Sequence, residues 1–152
     1  MLQLLAQFLG LFIPSIIAVL GSYKLYKMRR NDRKNGLRES LIAEIESAEA
    51  IEGKQKFIKD SDNPPGHNVF PNAVYSSNSS DLGLLTTEER ESVVEYYTNG
   101  YILQEMTYTW REYDVNDKEP PGDLRNFMVR QIDKVDGLQT AALQKLRSNT
   151  SD

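Results

Sequence analysis

The chain of 152 residues is 39% hydrophobic and 26% charged, with one histidine, no cysteine and a formal net charge of −4. Its length suits one modest domain, or a smaller domain joined to a membrane anchor. The missing cysteines exclude disulfides, thiolate metal sites, cysteine nucleophiles and thiol redox chemistry, and a lone histidine excludes a multi-histidine metal site.

From Leu2 to Gly21 no side chain is charged. At about 1.5 Å rise per residue this run matches the roughly 30 Å hydrocarbon core of a bilayer. Lys24, Lys27, Arg29, Arg30, Arg33 and Lys34 follow directly, against the single acid Asp32, so residues 1–34 carry a net +5. Residues 35–152 hold 12 bases and 21 acids, a net −9. A cleaved signal peptide expects bases before the apolar run and a small-x-small site after it, and neither is present. A core helix of a soluble fold is rarely apolar on every face. The pattern predicts one transmembrane helix within an anchor region 1–35. The basic collar predicts a short outer N-terminus and a cytoplasmic domain over 36–152. Tyr23 and Tyr26 sit where interfacial aromatics belong.

Within the anchor, Gln3, Gln7, Gly10, Pro14, Ala18 and Gly21 recur at spacings of 4, 3, 4, 4 and 3 and so share one helix face. Small residues let helices approach closely in lipid, and amides hydrogen-bond across them. This face is the candidate interface for a second copy or a membrane partner. The collar Lys24, Lys27, Arg29, Arg30, Arg33 and Lys34 is the candidate membrane-surface contact, with anionic lipid as its natural counter-charge.

Leu37, Leu41, Ile45, Ala48 and Ile51 form an apolar stripe over 36–60, with Glu39, Glu44, Glu46, Glu49 and Glu52 assigned to an acidic outer face. Phe57 and Ile58 extend the stripe, and Asn35-Gly36 offers a break before it. The stripe is coiled-coil-like but too short for a coiled coil. Residues 61–81 are rich in Pro, Gly, Asn and Ser and read as a long connection, with Val69, Phe70, Val74 and Tyr75 available to pack.

Thr86-Thr87-Glu88-Glu89 fits a capping box with Thr86 as N-cap. The following helix keeps Ile102, Met106, Trp110 and Tyr113 at helical spacing. A β-hairpin around Asn99-Gly100, flanked by β-branched and aromatic residues, is the rival. Pro120-Pro121-Gly122 precedes a last helix with Asp123 as N-cap. Its stripe is Leu124, Met128, Val135, Leu138, Ala142 and Leu146, interrupted by Gln131, and residues 147–152 read as a frayed tail. The fold class is therefore all-α: a transmembrane helix followed by a small antiparallel bundle of about three helices with one long loop.

Catalytic constellations are missing. His67 stands in a Pro-Pro-Gly-His-Asn turn with no partner at metal-ligand spacing and no nucleophile elbow. Asp114 and Asp60 each begin a run like a calcium loop, and both runs lack the glycine and the final glutamate. The aromatics from Tyr96 to Tyr113 read as core rather than a stacking platform, because a domain of −9 repels phosphate. The sequence predicts a non-enzymatic, single-pass membrane protein with a helical interaction module or accessory-subunit role. No cofactor, metal, nucleic acid or small-molecule substrate is expected. A lipid-sensing protein working through the collar is the alternative, and a membrane-bound hydrolase using His67 a remoter one.

Overall fold

The computed structural model describes residues 2–48, 70–116 and 118–149, with side chains from Ile16 onward. Every regular element among them is helical: α1 (Leu2–Ser47), α2 (Ala73–Ser77), a 3-10 helix (Ser79–Leu84), α3 (Thr87–Val115) and α4 (Gly122–Ser148). The chain divides into two units, residues 1–36 and 37–152. Asn35 and Gly36 lie inside α1 and do not break it. An interior glycine costs about 1 kcal/mol relative to alanine, too little to end a helix whose next turns are fixed by packing.

In the second unit Leu37, Leu41, Ile45 and Ala48 are all buried. They meet Val93, Tyr96, Tyr97 and Leu103 of α3 and Met128, Ile132, Val135, Ala142 and Leu146 of α4 in one hydrophobic core. The helix directions follow from the side-chain ties. Arg38 meets Glu89 and Glu44 meets Tyr97, so α1 and α3 run parallel. Gln131 meets Asn99, and Gln139 meets Ile45, so α4 runs antiparallel to both. This corrects the expected fully antiparallel order. Two consecutive parallel helices need a crossing connection, and residues 48–86 separate α1 from α3 in the sequence.

The end of that crossing packs on the bundle. Phe70 and Leu82 are buried, and Val74 and Tyr75 lie against the core. Val69, Ile51, Phe57, Ile58, Glu49, Glu52 and the first part of the 61–81 connection lie outside the described residues.

The capping box forms at the expected place. Glu89 N–H donates to the Thr86 hydroxyl at 3.3 Å, and Thr86 N–H donates to Glu89 Oε2 at 2.7 Å. From there α3 continues through Asn99-Gly100, and the hairpin alternative is overturned. Gly100 has a packing role instead. A Cβ there would come within 2.1 Å of the Phe70 ring, so only glycine lets that ring lie on the helix backbone. Asn99 is buried and serves two neighbours, donating to the Glu95 carbonyl at 2.8 Å and accepting from Gln131 at 3.1 Å. On the inner face of α3, Met106 and Trp110 of the expected stripe are buried, and its first member departs: Ile102 is 43% exposed and Leu103 takes its place in the core.

The last helix starts two residues earlier than expected. Pro121 is its N-cap, and Asp123 falls in the first turn. A carboxylate there still complements the helix dipole. Gln131, the break in the stripe, is buried and bonds the Asn99 carbonyl at 3.0 Å.

The membrane span expected over 2–21 is not found. Among the described residues no helix is long and apolar enough to cross a membrane.

Candidate interaction surface

In the first unit, Ile16, Ile17, Val19, Leu20, Tyr23, Leu25, Tyr26 and Met28 are between 49% and 68% exposed. At about 100° per residue, these side chains are distributed round the whole circumference of α1 rather than along one stripe. Ala18 and Gly21, the two candidate interface residues with described side chains, are exposed as well. Gln3, Gln7, Gly10 and Pro14 precede Ile16, and their side chains lie outside the described residues. Of the basic collar, Lys24, Lys27, Arg29, Arg30 and Arg33 are exposed and Lys34 is half-buried. The structure therefore brings an all-round apolar surface and a dense cationic one together on consecutive turns of a single helix.

The second unit holds its charges differently. Glu44, assigned by pattern to an acidic outer face, is buried. Its Oε1 accepts from Val74 N–H at 2.6 Å, and its Oε2 accepts from Tyr75 N–H at 3.0 Å and from the Tyr97 hydroxyl at 2.5 Å. The N-cap residue of α2, Asn72, makes no side-chain cap. Glu44 supplies it across the chain, satisfying two first-turn N–H groups with a negative charge at the positive end of the helix. Burial, and then the bond to Glu44, push the Tyr97 hydroxyl well above the ordinary tyrosine range. Burial and the Glu44 charge raise Tyr96 in the same way. Tyr75 stacks on Tyr97 with ring centroids 4.1 Å apart, and Phe70 meets Tyr97 edge-on at 5.6 Å. The aromatics are thus divided: Tyr96, Tyr97 and Trp110 are core, while Tyr101 and Tyr108 are exposed.

Arg38 is the second buried charge. Its Nε donates to Glu89 Oε1 at 2.7 Å and its Nη1 to the Asn149 carbonyl at 2.7 Å, so one guanidinium joins the start of α3 to the end of α4. Burial raises the Glu89 carboxyl, but the Arg38 and Thr86 hydrogen bonds outweigh it and hold the carboxyl below its ordinary value. Sequence patterning missed both groups, because a charge that completes a helix terminus looks the same in a sequence as a solvated one. Both oxygens of Glu44 and of Glu89 accept from fixed donors, which ties α1 to α2 and α3.

Grooves lie at the junction of α3 and α4. One of about 450 Å³ is lined by Tyr113, Pro121, Leu124, Phe127 and Arg130 among others, and one of about 670 Å³ by Trp110, Lys118, Pro120 and Arg125 among others. Phe127 is 50% exposed and carries the Arg130 guanidinium 5.8 Å above its ring. Asp114, the start of one calcium-like run, belongs to the last turn of α3. His67 and the Asp60 run before Phe70 lie outside the described residues. Among the described residues no group of three or more His, Cys, Asp or Glu could hold a metal ion. No protein-family model, curated protein or solved structure matches the chain.

Proposed function

We propose that the chain is a single-pass, membrane-anchored helical protein whose bundle serves as an interaction module or accessory subunit. In this reading the apolar run up to Gly21 lies in the bilayer, the N-terminus faces outward and the bundle stands on the cytoplasmic side. One observation carries it: the apolar side chains from Ile16 to Met28 are exposed on every face of α1. An aqueous helix hides such residues along one stripe, and a lipid-embedded one has no reason to. Transferring Ile16, Ile17, Val19 and Leu20 from water to hydrocarbon is worth about 1.5–3 kcal/mol each. The collar that follows favours retention on the cytoplasmic side. The interaction role is supported by the grooves at the α3–α4 junction and by Val115, which is 81% exposed beside them.

The test is extraction followed by accessibility. In cells expressing the full chain, alkaline carbonate should leave it in the membrane pellet, and release to the supernatant would sink the anchor. Because the chain has no cysteine, Ser148→Cys introduces a single thiol. A membrane-impermeant maleimide should label it only after lysis, and labelling of intact cells would reverse the orientation.

A further inference from the structure

Resting on that membrane reading, we infer that residues 24–34 of α1 form a binding surface for anionic phospholipid headgroups, beyond their role in setting orientation. Lys24, Lys27, Arg29, Arg30, Arg33 and Lys34 occupy roughly 220° of the helix circumference at about 100° per residue. Leu25, Met28 and the one acid, Asp32, fill the remaining arc. The cations thus cover more than half of the circumference within about three turns of helix, all exposed except the half-buried Lys34, and several can meet neighbouring headgroups together. Tyr23 and Tyr26, 65% and 61% exposed, stand at the start of the stretch, where aromatic rings sit at headgroup depth. In an anchored helix the layer following the apolar turns is the headgroup layer itself. Charge complementarity then selects its anionic members over zwitterionic ones. Net charge gives the same sign: +5 over residues 1–34, in a chain of −4 overall.

The experiment uses the full chain carrying Ser22→Cys, labelled there with a donor dye. The protein is reconstituted in phosphatidylcholine vesicles that contain a minority of phosphatidylglycerol. Energy transfer is measured to acceptor-labelled phosphatidylglycerol and, separately, to acceptor-labelled phosphatidylcholine. Transfer to phosphatidylglycerol should exceed transfer to phosphatidylcholine about twofold at low salt. It should fall to parity at about 1 M salt, where the screening length is only ~3 Å. Parity is also expected at low salt when Lys27, Arg29, Arg30 and Arg33 are all replaced by Gln. Equal transfer to both lipids in the otherwise unsubstituted chain would overturn the inference and leave the anchor standing. Absence of transfer to either lipid would overturn the anchor, and the inference with it.

Discussion

Two stretches of the same helix treat apolar side chains in opposite ways. Between Ile16 and Met28 they are exposed on every side, whereas Leu37, Leu41 and Ile45 are nearly inaccessible, at 6%, 0% and 0%. The residue types hardly differ. What differs is their period: the first stretch is apolar without a polar face, and the second alternates its leucines and isoleucine with glutamates at helical spacing. Charge repeats the contrast. The bases of the first stretch face outward, while Arg38 and Glu44 in the second are drawn inside and given partners. The lesson is that helix formation and burial are separate decisions, and that only the second depends on what surrounds the helix.

The comparison breaks most visibly at Arg38. Arg38→Met leaves Glu89 buried without its counter-charge and should cost about 3–5 kcal/mol in chemical denaturation of the full chain. The double substitution Arg38→Met with Glu89→Gln should recover a large part of that loss, since it removes both charges and keeps an acceptor for Thr86. The pH dependence has a definite sign. A carboxyl held below its ordinary value lends stability that is complete above the unfolded glutamate range and is lost as pH falls through the folded value. Arg38→Met should therefore flatten the acid limb of the stability curve. An unchanged acid limb would show that other carboxyls govern it.

A paired truncation sharpens the contrast within α1. Leu41→Ala should destabilise the bundle by about 2–5 kcal/mol. Leu20→Ala should move it by less than about 0.5 kcal/mol. Equal effects in thermal and urea denaturation would erase the distinction between the two stretches.

The third expected effect is at Gly100. Gly100→Ala forces the Phe70 ring off the helix and should cost about 1–3 kcal/mol despite alanine's higher helix propensity. Phe70→Ala in the same background should make the Gly100→Ala step neutral or favourable. If the penalty persists without the ring, the close approach is not its cause.

Much of the fold is written in local signals. The Thr86–Glu89 capping box fixes the start of α3, and the stripe Leu37, Leu41, Ile45 and Ala48 is entirely core. Such features are legible because their determinants lie within one or two turns. Gln131 looked like a flaw in the last stripe because its partner, Asn99, is 32 residues away. The hairpin signal at Asn99-Gly100 misled for the same reason: the glycine answers to Phe70, not to a turn. Glu44 was assigned to the surface because it sits among four other glutamates, and nothing nearby announces α2's need for a cap. The parallel order of α1 and α3 was equally hidden, since helix periodicity carries no direction. Within the candidate surface the type and spacing of residues are readable, whereas the exposure from Ile16 to Met28 depends on what packs against the helix.

The bond from Arg38 to the Asn149 carbonyl spans 111 residues of chain, and this distance has a consequence for synthesis. During translation the segment from Leu37 to Ala48 leaves the ribosome long before the helix it must pack against. At about 5–20 residues per second the wait is on the order of ten seconds. For that interval Leu37, Leu41 and Ile45 form an uncovered apolar edge on a nascent chain. α3 offers the first cover, through Val93, Tyr96 and Tyr97, and α4 completes it with Val135, Ala142 and Leu146. The first-made core segment of the bundle is thus the one that waits longest for its full set of partners, which is complete only when Gln139 and Asn149 have arrived.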